Sequence, residues 1–246
     1  MTDRRLGRRV KPEKWAAYIA TPAYDGRVTC DYSQSLAEAA FCSPLYMVHI
    51  TAGVMGNGAF IELARNVFVK KFLTEFTECT HLFFIDADIK FPPNAFIGLM
   101  RSGLPICAGV YRRRQEPEDY PAKYAPHPEL GGLWVDDGWI MCERVPTGFL
   151  CISRKVIEEM AADARKVPIP GEGDVPWLFY TKFDEQGRFV GEDFAFCDDY
   201  RARYGKPIHV WPDIDFVHGG YKGNFLKYLN EQVEKEEREA QTSSAA

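Results

Sequence analysis

The sequence predicts an α/β fold, with a mostly parallel central sheet flanked by helices and a small antiparallel hairpin region. Three observations carry this. Short apolar runs alternate with segments of helical periodicity from residue 15 to 111, the rhythm of strand–helix–strand units. The run HLFFI at 81–85 is apolar or aromatic at nearly every position, as a strand covered on both faces requires. After Tyr111 the rhythm gives way to polar, proline-rich stretches and paired short strands.

Taken in order, residues 16–20 of WAAYIATPAYDG read as a buried strand stopped at Thr21-Pro22. A helix follows through SQSLAEAAFC, then a strand, LYMVHIT, and a loop, GVMGNG. AFIELARNVFVKKFLTEF places Phe60, Ala64, Val67, Phe68, Phe72 and Phe76 on one helical face, leaving Arg65 and Asn66 off it. A helix over 93–101 starts on a proline, which suits a first turn, and ends before Gly103. LPICAGVY is the next buried strand.

In the second half, GLWVDD and WIMCERV flank a turn at Asp137-Gly138, FLCIS is a further apolar run, and a helix is expected over 153–162. KVPIPGEGDVP reads as a loop, and a hairpin turns at DEQG. GEDFAFCDDYRARYG is a helix opened by acidic residues and closed by Gly205. Two short strands, PIHVW and DIDFVH, precede an acidic helix and a tail. The expected organisation is a basic arm over 1–14, one domain over 15–228, and a C-terminal helix and tail over 229–246. The domain divides into a nucleotide-binding half, 15–111, and an acceptor and catalytic half, 112–228.

Composition narrows the class. The 246 residues carry a net charge of −5 and 46% hydrophobic residues, ordinary for a globular protein and without a global pull towards nucleic acid. Only the first eleven residues, MTDRRLGRRVK, form a basic arm. The seven cysteines form no CxxC pair, which argues for small core residues in a reducing compartment over a disulfide frame or zinc site. No apolar run spans a bilayer and no leader pattern is present, so the expected location is the cytoplasm.

The chemistry concentrates at HLFFIDADIKF. Two carboxylates, Asp86 and Asp88, stand where a buried strand leaves the sheet, the place where open α/β sheets bind ligands. In an extended segment, residues two apart share a side. Hard oxygens there suit Mg²⁺ or Mn²⁺, whose shell is completed by phosphate. A calcium loop would want a further Asp or Asn and then glycine where Lys90 and Phe91 stand. A haloacid-dehalogenase-type phosphatase would want the motif on its first strand.

TPAYDG, ELARN, FFIDADI, VPTGF, GEDFAFC and DFVHGGYKG follow one another in an order that resembles GT-A glycosyltransferases over most of the chain. The resemblance implies a GT-A type fold, a nucleoside-diphosphate sugar as donor, and Mn²⁺ or Mg²⁺ as cofactor. It implies Asp88 and His218 as metal ligands, with Asp86 on the metal or on the ribose. Thr21, Pro22, Ala23 and Tyr24 would cradle the nucleotide, joined by Arg65 and the Asp86-Ala87-Asp88 segment. Gly219, Gly220 and Lys222 would meet the diphosphate, although HGGYKG is tighter than the comparable set of family 8 enzymes. Thr147, Gly148 and Phe149 would form the acceptor floor. Asp193, or Glu192 beside it, would act as the base of an inverting transfer, whereas ARN and the histidine lean towards retaining families.

The acceptor stays open among glycans, small molecules, proteins and modified DNA. The basic arm and the arginines at 112–114 leave room for an enzyme that glycosylates hydroxymethylated bases. A sugar nucleotidyltransferase is an alternative, but TPAYDG lacks its glycine-rich loop. A nucleotide-sugar binding module without catalysis is another.

Overall fold

The computed structural model describes residues 14–56 and 60–244; the arm expected over 1–14 lies outside them except for Lys14. The elements run β1 (Trp15–Ala23), α1 (Cys30–Cys42), β2 (Val48–Gly56), α2 (Ile61–Thr74), β3 (His81–Ile85), β4 (Ile89–Lys90), α3 (Pro93–Arg101) and β5 (Ile106–Ala108). The second half adds β6 (Lys123–Tyr124), β7 (Val135–Asp136), β8 (Trp139–Arg144), β9 (Phe149–Ser153), α4 (Arg154–Asp163), β10 (Lys166–Ile169) and β11 (Gly173–Pro176). It closes with β12 (Lys182–Phe183), β13 (Phe189–Val190), α5 (Glu192–Tyr204), β14 (Ile208–Val210), β15 (Asp215–His218), β16 (Tyr221–Asn224) and α6 (Phe225–Ser244).

The main sheet has the order β2-β1-β3-β9-β5-β14-β8-β6, with β7 also on β8. Pairing is parallel at β1–β2, β1–β3 and β5–β14. β9 runs antiparallel to both its neighbours, as does β8. The sheet is therefore mostly parallel in strand direction, with two reversed strands.

Strand alternation splits the core into two layers. Along β3, Leu82 and Phe84 join Phe68 and Phe72 of α2, Ile157 of α4 and Phe196 of α5 on one face. Phe83 and Ile85 join Tyr32 of α1 and Phe96 and Met100 of α3 on the other. All five residues of β3 are buried, which is why HLFFI shows no polar alternation.

Several boundaries differ from expectation. Residues 43–46 form a 3-10 turn, and Met47 adopts a left-handed backbone, so the strand begins only at Val48 and continues to Gly56, into the segment expected as a loop. β2 holds nine residues with one buried, because it is the sheet edge and packs little. The expected loop KVPIPGEGDVP is a hairpin, β10 on β11. The polypeptide also forms a three-stranded sheet, β16-β15-β4, of which only the DIDFVH strand was expected. The C-terminal helix extends to Ser244, where a tail was expected. Asp137 and Gly138 both have positive φ, 45° and 79°, the backbone of a tight hairpin turn.

Candidate active site

The small sheet builds the site. Register pairs His218 with Ile89 and Val217 with Lys90, so a histidine late in the chain arrives beside the residue that follows Asp88. Three bonds hold the intervening turn: Ile89 N–H donates to Asp86 O at 3.2 Å, Gly219 N–H to Asp88 O at 3.1 Å, and Thr29 N–H to Ala87 O at 2.9 Å. Thr29 is also the N-cap of α1, so the helix start and the acidic turn are fixed together.

The extended segment expected at Asp86 and Asp88 is corrected to a turn, and the two carboxylates have different partners. Asp86 Oδ1 takes Arg65 Nη2 at 3.2 Å and its Oδ2 takes the Tyr111 hydroxyl at 3.4 Å. Asp88 Oδ2 takes Arg114 Nη1 at 2.8 Å and lies 3.6 Å from His218 Nε2. Among the described residues no three His, Cys, Asp or Glu side chains converge as a metal site. The expected ligand trio of Asp86, Asp88 and His218 is not assembled, because Arg65 and Tyr111 occupy Asp86.

The Asp88–His218 pair has donor chemistry of its own. His218 Nδ1 lies 2.8 Å from the Arg112 carbonyl oxygen. A carbonyl only accepts, so Nδ1 carries a hydrogen, and in a neutral ring the Nε2 lone pair is the atom that faces the carboxylate. Two electron-pair donors facing one another fit a cation between them, and a magnesium-like ion takes one or two protein ligands plus phosphate oxygens.

Arg65 is 3% exposed and its Nε lies 3.3 Å from Glu192 Oε1. It therefore joins the end of β3 to the first turn of α5. Burial alone would lower its pKa, but Asp86 and Glu192 outweigh that and move it up. Its Nη1 has no protein partner. Asn66, beside it, is spent on structure: its side chain takes Leu178 N–H and Phe179 N–H at 2.8 and 2.9 Å and donates to Phe179 O at 2.7 Å. Both residues are buried although they lie off the apolar stripe of α2.

Asp193 is half-buried, and its Oδ1 takes Phe194 N–H at 2.7 Å. Desolvation, and then Glu192, push its carboxyl up to about 6, against the opposing pull of the Phe194 bond and Arg65. Tyr111 is pushed well up by burial and Asp86. Its hydroxyl accepts Gly148 N–H at 3.2 Å, and its ring meets His218 edge-on at 4.8 Å. Tyr111 thus touches both halves of the site, and sequence patterning gave no sign of it beyond its place at the end of LPICAGVY.

The other expected residues are distributed unevenly. Thr21, Pro22 and Ala23 are buried at the end of β1, the Thr21 hydroxyl against that of Tyr32, while Tyr24 is 78% exposed. Gly148 abuts Asp86 and Tyr111 so closely that a Cβ would collide with both. Thr147 Oγ1 is buried without a protein partner. Phe149 is corrected from acceptor floor to core: it is fully buried against the rings of Phe83, Phe91 and Phe216. Gly219 and Gly220 both have left-handed backbones, φ 54° and 91°.

Lys222 is not brought to the cluster. Residues directly paired across strands share a face, so Lys222 goes with Val217 and Lys90, opposite His218 and Tyr221. There it lines a separate cavity of about 630 Å³ with Lys90 and Asp215.

The arginine run 112–114 is largely neutralised. Arg112 pairs with Glu116 and Glu118, and Arg113 with Asp119; Arg114 crosses to Asp88. Among the described residues no helix is long and apolar enough to cross a membrane.

The sequence matches no family model and no curated protein. In three dimensions the chain is similar to A197 from STIV, at 15% identity over 83% of this chain and 85% of that one, with a TM-score of 0.51. That likeness concerns the fold alone. A glycosyltransferase involved in the glycosylation of the major capsid of PBCV-1 aligns at 8% identity over 59% of this chain and 63% of that one. Its TM-score of 0.30 carries no functional argument.

Proposed function

We propose that the chain is a GT-A type glycosyltransferase that moves a sugar from a nucleoside diphosphate to a hydroxyl acceptor, with Mn²⁺ or Mg²⁺ as cofactor. The observation that carries the reading is the meeting of Asp88 and His218, 3.6 Å apart, at the exit of the buried strand β3. When bound there, the cation would supply positive charge to a leaving diphosphate.

The chain's own residues then divide the work. Asp88 and His218 are the residues that would hold the ion. Arg65 keeps Asp86 and the start of α5 in fixed relation, so that donor and acceptor sides cannot drift apart. Asp193 takes the acceptor's proton as its oxygen bonds to the anomeric carbon and the sugar–phosphate bond breaks. A carboxylate held at about 6 is ionised at neutral pH yet more basic than an ordinary aspartate, which suits a general base. The acidic partners of Arg112 and Arg113 weaken the case for a DNA acceptor, since duplex binding rests on free cationic groups.

The test is a thermal-shift screen of sugar nucleotides with and without Mn²⁺, followed by Mn²⁺-dependent hydrolysis of any that bind. A ligand bound only by the folded chain raises its melting temperature. The expected result is stabilisation by at least one donor, lost in Asp88→Ala. Stabilisation without turnover would make the chain a binding module; no stabilisation by any donor would overturn the reading.

A further inference from the structure

Arg114 stands on the atom that the proposed site needs. Its Nη1 donates to Asp88 Oδ2 at 2.8 Å, and Oδ2 is also the oxygen that faces His218 Nε2. A divalent cation held between Asp88 and His218 must therefore displace the guanidinium, by competition for one oxygen and by repulsion between like charges. The displaced group has little else to hold it: the Arg114 side chain is 59% exposed. Its two neighbours differ, since Arg112 and Arg113 are bound by acids of their own loop.

The path of the side chain is shaped around it. Gly219 has φ 54°, and a Cβ there would come within 2.5 Å of Arg114 Cδ. Gly219 N–H in turn binds Asp88 O. The glycine after His218 thus admits the arginine stem alongside the acidic turn, and that stem lies against the backbone next to the proposed metal ligands.

We propose that Arg114 is an exchangeable counter-ion of this site, resting on Asp88 without ligand and transferring to the diphosphate when a cation and nucleotide bind. The inference rests on the function proposed above and adds a regulatory element to it. The arginine opposes binding of the bare cation and favours binding of the cation together with a diphosphate. The two events become coupled, because the anion gives the displaced guanidinium a partner and a planar fork suits phosphate oxygens.

The signature is a change of opposite sign in two affinities of one variant. The 246-residue protein and Arg114→Ala would be titrated calorimetrically with Mn²⁺ alone, then with UDP and GDP at saturating Mn²⁺; Asp88→Asn serves as the site control. Exposed ion pairs are weak, so loss of the competitor should tighten Mn²⁺ about two- to fivefold. Loss of a charge-assisted contact should weaken the bound nucleotide roughly tenfold or more. Arg114→Lys, which keeps the charge without the fork, should fall between.

If both affinities moved the same way, or neither moved, while the parent protein bound both ligands, the exchange would be refuted and the site would stand. If the parent bound neither Mn²⁺ nor nucleotide, or bound them equally well as Asp88→Asn, the proposed function itself would fall and the exchange with it.

Discussion

Arg65 Nε and Glu192 Oε1 lie 3.3 Å apart, although one belongs to α2 and the other opens α5. The same guanidinium holds Asp86 at 3.2 Å, so one buried cation joins two carboxylates that are distant in sequence. Removing one partner of a buried ion pair leaves charge without compensation and costs about 3–5 kcal/mol. Arg65→Met should lower unfolding free energy by that order, measured by urea denaturation. A loss below about 1 kcal/mol would mean that Asp86 and Glu192 find other partners, and that Arg65 is not the tie described here.

Asp193 gives a pH signature whose sign is fixed. Its folded pKa of about 6 lies above the usual aspartate value near 3.9. Its contribution to stability is therefore fully present below about pH 4 and is lost as pH rises through 6. Asp193→Asn should be more stable than the parent at pH 8, by roughly 2–3 kcal/mol, and the advantage should vanish by about pH 4. As a base the residue would impose an acid limb near pH 6 on kcat/KM, and the asparagine variant should lose about a hundredfold or more in rate. A limb unmoved in that variant would assign the base elsewhere.

Gly148 is a packing requirement of the site rather than of the turn. A methyl group there would press on the Tyr111 hydroxyl and the Asp86 carboxylate. Overpacking of this kind costs about 1–3 kcal/mol. Gly148→Ala should be destabilised by that amount, and Tyr111→Phe in the same chain should recover part of it by vacating the oxygen's volume. Additive costs in the double variant, read by thermal unfolding, would rule out this contact as the cause.

Asn66 anchors the chain at 178–179 with three buried hydrogen bonds. Asn66→Ala leaves two N–H groups and a carbonyl unpaired, at about 1–3 kcal/mol for each group left unsatisfied. Hydrogen exchange at Leu178 and Phe179 should accelerate sharply in that variant, ahead of global unfolding. Unchanged protection would show that the segment is held by its ring contacts alone.

What the sequence disclosed follows from what periodicity measures. HLFFI announced a strand buried on both faces because each side chain meets a core layer, and Pro93 and Gly205 marked helix ends through backbone preferences that need no partner. β4 and β16, which pair with the expected DIDFVH strand, were different. With two and four residues they are too short to show a period, and their place is set by pairing with β15. KVPIPGEGDVP was hidden for a related reason: its prolines suit a loop, yet Pro168 and Pro176 are tolerated in the two-stranded β10–β11 sheet, where each strand has a free edge.

Within the site, the Asp-Ala-Asp segment and His218 were legible as candidate ligands, but their division of partners was not. Whether two aspartates share an ion or part company depends on a turn closed by Ile89 N–H and on Arg65 and Tyr111, which reach Asp86 from other elements. Burial of Arg65 was obscured because an amphipathic stripe reports only apolar neighbours. Arg114 was visible as one basic residue of three, and nothing local distinguishes it from Arg112 and Arg113.

The pairing of His218 with Ile89 also bears on how the molecule matures during synthesis. Asp88 leaves the ribosome long before its imidazole partner does, and the strand that delivers His218 is the penultimate one. A product terminated before β15 thus carries Asp88 without its imidazole neighbour. On the proposed reading, such a fragment would lack half of the pair that holds the cation and could not retain a donor through it.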